Sequence, residues 1–277
     1  MVRAVPSVVS MDIHKISHDV SQLADCAMVP GLGFLPVNAF VLHAQEPVVV
    51  DTGLSTPDKH FLDDLAMVID PADVRWIWIT HPDRDHTGGV RALLDAAPNA
   101  RLITTFGGVG ILGCEWEVPL DRVYLLNPGQ AIEVGDRTIR AFRPPLFDSP
   151  VTTGFVDEST GAIFTSDCFG SPLPTAELAT CADVREAGDV REGQLLWATM
   201  DSPWVANVDE ARYRRTIEPL RSPEPSAIFC THLPPVLAHM DTMFDTISQA
   251  PSAPSFAMPD QRALEELLAT FAPGVPT

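Results

Sequence analysis

The stretch WIWITHPDRDHTGG, Trp76 to Gly89, runs an apolar strand-like segment directly into two histidines and two aspartates. His81, Asp83, Asp85 and His86 form the spacing H-x-D-x-D-H. Ionisable side chains at the end of a buried strand are costly unless they are paired or bound to a cation. Imidazole and carboxylate are both ligands of first-row metals. Pro82 and the Gly88–Gly89 pair favour a bend that lets the four side chains face a common point. A histidine at a helix start with incidental acids would account for one or two of them. The whole pattern, set between a strand and a helix, reads as a metal site.

The elements that must position these residues alternate. Strand-like runs are NAFVLHA, PVVVDTG, WIWIT, ARLITT, RTIRAFR, GAIFTSD and SAIFCTH, each closed by a turn signal or polar cluster. Helix-like stretches are TPDKHFLDDLAMVI, GGVRALLDAA, DEARYRRTIEPL and PDQRALEELLATF, the last with a Pro-Asp start and leucines at helical spacing. Strands interleaved with helices imply a layered α/β fold. Proline clusters are too short to be domain linkers, so one domain is expected over residues 1–277, with a C-terminal helix at about 258–272.

A chain of 277 residues, 45% hydrophobic and 20% charged, can bury a substantial core. No run approaches the roughly 18 apolar residues of a membrane span. The start MVRAVPSVVSMDIHK has no long apolar region or small-residue cleavage site, so no signal peptide is read there and a cytoplasmic location is expected. A net charge of −19 argues against a nucleic-acid partner, whose phosphates need Lys and Arg clusters. Five cysteines without a C-x-x-C pair speak against a disulfide framework or a cysteine zinc knuckle.

With these residues in view, the chain resembles the metallo-β-lactamase fold superfamily, whose signature H-x-H-x-D-H follows a strand in this position. PVVVDTG is similar to that family's first motif, ending in a structural aspartate, here Asp51. IFTSDCFG resembles the segment that supplies a metal-bridging aspartate, here Asp167, and IFCTHLPP the strand end with the last histidine, here His232. The resemblance runs from about residue 37 to 235. It implies a four-layered αβ/βα sandwich with metals at one edge between two sheets.

Two departures narrow the resemblance. Asp83 stands where most hydrolases of the family have histidine; an acid there is typical of the di-iron branch, the flavodiiron and oxygen-binding di-iron proteins. A further histidine usual between the first motif and the bridging aspartate is missing. The eight histidines are His14, His18, His43, His60, His81, His86, His232 and His239. In the matching region FRPPLFDSPVTTGF the good ligand is Asp148, which either replaces that histidine or caps the turn through Ser149 and Pro150.

The resemblance then implies one ion on His81, Asp83 and Asp148 and another on Asp85, His86 and His232, bridged by Asp167. So many hard oxygen donors suit iron first, with manganese or zinc as alternatives. Thr80, Thr87 and Ser166 could orient ligands, or make local turn bonds. Cys168 and Cys230, beside two of these positions, are metal contacts or small buried apolar groups. Phe34, Phe147, Phe169, Trp204 and Leu233, with the loop VPGLGFLPVNAF, are candidates for a pocket wall, against plain packing. Arg84 is expected to point away into a salt bridge, and His239 to be a surface or packing residue.

Such a centre either activates water for hydrolysis or, as ferrous iron, binds oxygen, peroxide or nitric oxide. Asp83 and the missing histidine favour a non-haem di-iron oxidoreductase or oxygen-binding protein. The alternative is a hydrolase of a small ester, lactone or phosphoester, though glyoxalase-like and lactonase-like members keep both central histidines. A third reading is metal bound for stability alone. Flavodiiron proteins carry a flavin module, for which the segment after His232 has no room, so electrons would come from a separate donor protein. Nuclease members bring a clamping domain and basic surfaces that this sequence lacks.

Overall fold

The computed structural model describes residues 11–56 and 60–271. The first ten residues, read above for a leader, Pro57 to Lys59 of the first expected helix, and residue 272 of the last one lie outside them.

Strands β1 (Asp12–Lys15), β2 (Val20–Val29), β3 (Gly33–Leu42), β4 (Val48–Val50), β5 (Trp76–Trp78), β6 (Arg101–Thr104) and β7 (Val123–Leu125) make a first sheet in chain order. Strands β8 (Ala131–Glu133), β9 (Thr138–Phe142), β10 (Gly154–Asp157), β11 (Ile163–Phe164), β12 (Ile228–Cys230) and β13 (Leu233–Val236) make the second, in the order β13-β12-β11-β10-β9-β8. β4 to β7 pair in parallel, which requires crossovers. Helices α1 (Phe61–Ala66), α2 (Val90–Ala96) and α3 (Phe106–Leu112) supply them. The parallel pair β11 and β12 is likewise bridged by α4 (Ala176–Ala179), α5 (Val184–Ala187), α6 (Arg191–Asp201) and α7 (Glu210–Arg221). Helices α8 (Met240–Ile247) and α9 (Gln261–Phe271) follow β13.

The period of two along single strands sets the layering. Trp76 and Trp78 of β5 face the second sheet, whereas Ile77 and the following Ile79 face α1 and α2 with Leu65 and Leu93. In β11 and β12, Phe164 and Phe229 face inward, while Ile163, Ile228 and Cys230 pack on Tyr213, Ile217 and Phe244 of α7 and α8. Between the sheets, Trp78 meets Phe155 at 4.6 Å, Phe155 meets Phe164 at 4.4 Å and Phe164 meets Phe229 at 4.8 Å between ring centroids. Burial of each such ring stabilises the fold by about 1.5–3 kcal/mol. Two sheets flanked by helices result, the layered α/β sandwich expected from the sequence.

The VPGLGFLPVNAF segment is a hairpin turn with positive φ at Gly31 and Gly33, followed at once by β3, which pairs along its whole length with β2; its Pro36 carbonyl reaches His232 Nδ1 at 2.7 Å. Gly33 is obligatory because a Cβ there would collide with the carbonyl oxygen of Leu173. The last helix runs Gln261–Phe271, within the expected span. No helix among the described residues is long and apolar enough to cross a membrane.

Candidate metal centre

The seven singled-out residues lie in connections that leave the two sheets at one rim. His81, Asp83, Asp85 and His86 occupy the loop between β5 and α2, Asp148 the loop between β9 and β10, Asp167 the turn after β11, and His232 the turn between β12 and β13. The segment after β4 clamps the first loop. The Thr52 amide and hydroxyl both donate to His86 O, at 2.7 and 2.9 Å, and the Gly88 amide donates to Gly53 O at 2.9 Å. A Cβ on Gly88 would strike the Leu54 carbonyl, so the bend needs glycine.

The side chains converge on Asp167. Its Oδ2 lies 3.4 Å from His81 Nε2, and its Oδ1 lies 3.2 Å from His86 Nε2 and 3.3 Å from His232 Nε2. On the first side, Asp148 Oδ2 and Asp83 Oδ2 stand 3.7 and 4.0 Å from His81 Nε2. On the second, Asp85 Oδ2 stands 3.4 Å from His232 Nε2 and 3.8 Å from His86 Nε2. His81–Asp83–Asp148, Asp85–His86–His232 and His81–His86–Asp167 are each close enough to hold an ion.

Hydrogen bonds behind the imidazoles set which nitrogen faces inward. His86 Nδ1 donates to Asp51 Oδ2 at 2.8 Å, and His232 Nδ1 to the Pro36 carbonyl at 2.7 Å; both partners can only accept. His81 Nδ1 donates to Ser166 Oγ at 3.2 Å, Ser166 Oγ to Thr80 Oγ1 at 2.9 Å, and Thr80 Oγ1 to Asp51 Oδ2 at 2.9 Å. Two of the three rings are therefore held by one carboxylate, directly or through two hydroxyls. This leaves the Nε2 lone pairs aimed at the centre, as metal ligation requires. Asp51 and Ser166 have φ of 55° and 54°, left-handed values uncommon outside glycine and concentrated at functional sites.

The donor set fits a cation. His86 Nε2 and Asp167 Oδ1 are buried and have no hydrogen-bond partner, despite lying 3.2 Å apart. A proton could serve one of the three imidazoles facing Asp167; a cation on each side serves all of them. Without metal, burial pulls the His86 pKa down, but Asp167, Asp51 and Asp85 outweigh it and hold it well above the ordinary histidine value. Burial pushes Asp167 up, and the His81, His232 and His86 imidazoles overcome it and hold its carboxyl far below the usual range. The pair is thus a buried ion pair awaiting a stronger counter-charge.

Asp51→Asn tests this support. It should weaken ion binding about 10–100-fold, as loss of a ligand-orienting partner does, while two ions still bind at saturation. Competition titration against a chelator measures it.

Other expectations divide. Asp148 points inward and also accepts from Thr152 Oγ1 at 3.3 Å. Thr80 and Ser166 stand behind the imidazoles, but Thr87 is a turn residue whose hydroxyl donates to Asp83 O. Phe169 and Leu233 are core residues rather than pocket wall. Phe34 is partly buried against the same core. Phe147 and Trp204 stack at 4.8 Å and line a cavity of about 740 Å3 with Arg143 and Arg212. Burial raises the pKa of the Cys168 and Cys230 thiols, and both pack in the core as apolar groups. Arg84 faces away to Glu115 at 3.5 Å, both exposed, a pair of little energetic weight. His239 is exposed and precedes α8.

Sequence reasoning missed Asp201 and Trp197. Trp197 Nε1 donates to Asp167 O at 3.1 Å and its ring packs edge-on against His232. Asp201 places a carboxylate oxygen within 4.8 Å of those of Asp148 and Asp167. Both come from α6, whose sequence carries no metal motif.

The profile of the metallo-beta-lactamase superfamily matches residues 32–232. The chain belongs to that superfamily. Among curated relatives of this superfamily member is the rubredoxin-oxygen oxidoreductase of Megalodesulfovibrio gigas, 23% identical over 142 residues, which are 50% of this chain and 35% of the relative. Among solved structures, rubredoxin oxygen:oxidoreductase from Desulfovibrio gigas aligns with a TM-score of 0.73 at 16% identity, covering 87% of this chain and 61% of that one. The flavodiiron protein from Giardia intestinalis aligns with a TM-score of 0.71 at 14% identity, covering 88% and 60%. The chain thus spans only part of these flavodiiron relatives, and at such identities the structural likeness shows the fold.

Proposed function

We propose that this chain is a non-haem di-iron oxidoreductase that acts on dioxygen. One ion would sit on His81, Asp83 and Asp148, another on Asp85, His86 and His232, and Asp167 would bridge them. The observation that carries the reading is the donor set itself, four carboxylates and three imidazoles with a buried carboxylate between them, a composition suited to iron or manganese. The likeness to the M. gigas rubredoxin-oxygen oxidoreductase supports the same chemistry. Two ferrous ions would supply reducing equivalents and open coordination positions for the oxidant.

The chain's own residues do the rest. Asp51, Ser166 and the Pro36 carbonyl hold the imidazoles in one tautomer. His81, His86, His232 and Asp167 are nearly sealed, at 1–4% side-chain exposure, whereas Asp83, Asp85 and Asp148 are 57%, 29% and 25% exposed. A small molecule therefore approaches over the carboxylates. On this reading a separate protein donates electrons.

Ferrous iron added anaerobically should bind at two ions per chain, and mixing with air-saturated buffer should consume oxygen and raise a ferric charge-transfer band. Two tightly held zinc ions after expression in iron-rich medium, no oxygen uptake, and turnover of esters or phosphoesters would overturn the proposal.

A further inference from the structure

We propose that the cavity walled by Phe147 and Trp204 binds an aromatic carboxylic acid, held by Arg143, Arg212 and Arg215. The site lies beside the metal centre, on the loop that continues into Asp148.

Two connections meet to form the cavity. The loop from β9 to β10 brings Arg143 and Phe147, and the chain from the end of α6 into α7 brings Trp204, Arg212 and Arg215. Trp204 Nε1 donates to Phe147 O at 2.7 Å, and the two rings pack with centroids 4.8 Å apart. With its N–H engaged, the half-buried indole offers the cavity a fixed flat wall. Arg212 and Arg215, three residues apart on α7, share a helix face and both line the cavity. Its volume of about 740 Å3 is that of a small-molecule site.

The charge of this cavity runs against that of the chain, which has 18 Lys and Arg against 37 Asp and Glu. Elsewhere arginines pair with carboxylates, as Arg137 does with Asp157 and Arg221 with Asp245. Among the described residues none of the three arginines here has an ion-pair partner. Arg143 lies 5.1 Å from the Phe147 ring centroid, and its Nη1 donates to the carbonyls of Thr152 at 2.7 Å and Ser149 at 3.5 Å. Its Nε and Nη2 edge has no protein acceptor among the described residues. Burial lowers the pKa of this guanidinium, and no carboxylate offsets that. Asp209 is the one acid among the described lining residues, and its Oδ1 caps α7 by accepting from the Arg212 amide at 2.8 Å.

These features select the ligand. The Nε and Nη2 edge of an arginine presents two parallel N–H bonds, which a carboxylate accepts as a pair. The Phe147 and Trp204 rings pack best on another aromatic ring. A cation would be repelled by the three arginines, and an uncharged ring would leave them without a counter-charge.

Calorimetric titration of the chain with 2-naphthoate, beside uncharged 2-naphthol, tests the assignment. Wild type should bind one 2-naphthoate per chain at least tenfold more tightly than 2-naphthol, and the difference should shrink as salt rises. The double variant Arg212→Ala, Arg215→Ala alters exposed positions. It should lose at least tenfold in 2-naphthoate affinity, with 2-naphthol affinity and melting temperature nearly unchanged. Arg143→Lys keeps the charge but not the paired edge, and should weaken 2-naphthoate likewise. No binding, equal affinity for the two compounds, or 2-naphthoate affinity unchanged in both variants would overturn the proposal. Tighter binding of 2-naphthyl phosphate than of 2-naphthoate, lost in the same variants, would overturn the carboxylate in favour of a phosphate.

Discussion

Asp167→Ala is expected to abolish binding of both ions at once. Its two oxygens face different partners, Oδ2 toward His81 and Oδ1 toward His86 and His232, so each proposed ion loses a donor. The bridge also carries the negative charge that lets two dications sit close together, and their repulsion scales with the product of the charges. Affinity for each ion should drop by about 100-fold or more, beyond the loss typical of an orienting partner. The metal-free protein should suffer as well. Removing one member of a buried ion pair typically costs about 3–5 kcal/mol, and deprotonation of His86 would recover part of that. Elemental analysis after gel filtration and thermal melts with and without metal check both halves. Two ions retained at full occupancy would remove Asp167 from the bridging position.

Asp148→Ala should reduce binding to one ion per chain, and Asp148→His should keep it at two. The carboxylate turns Oδ2 toward His81, while Oδ1 accepts from the Thr152 hydroxyl at 3.3 Å. If Asp148 were merely a turn cap, its replacement would remove that hydrogen bond, a loss of about 0.5–1.5 kcal/mol, with stoichiometry unchanged. Histidine would offer a nitrogen donor from the same loop. Metal counting on the two variants beside their melting temperatures decides between the readings. Two ions on the alanine variant, with a lowered melting temperature, would favour the turn cap.

Much of the scaffold was legible because strand burial here is two-sided. Runs such as WIWIT and GAIFTSD are apolar on both faces, so they announce themselves as strands between layers. β2 was not legible. Its Ser21, Gln22 and Asp25 break the apolar pattern, yet Gln22 is fully buried and donates to Asn38 Oδ1, which in turn serves Cys230 O and Leu233 O through its own amide. Polar residues held by partners distant in the chain carry no local signal. α6 was hidden for a related reason, since Gly193 and a mixed polar surface blur its period.

The candidate site shows the same division. The loop from His81 to His86 could be read directly, because neighbours in sequence are neighbours in space. Asp148, Asp167 and His232 were reached through family resemblance rather than local pattern. Asp201 could be reached by neither route, because only the docking of a helix on a distant turn brings it near. Phe169 and Leu233, weighed as pocket wall against plain packing, belong to the core, because adjacency to a reactive residue says nothing about which side of the backbone a side chain takes.

Each of the seven side chains proposed as donors hangs from a segment that connects strands, and none from the interior rows of Trp78, Phe155, Phe164 and Phe229. Nitrogen can therefore be exchanged for oxygen at a position such as Asp83 or Asp148 without repacking a single aromatic ring. The scaffold behaves like a socket whose pins are replaceable, and the choice of element is left to the pins.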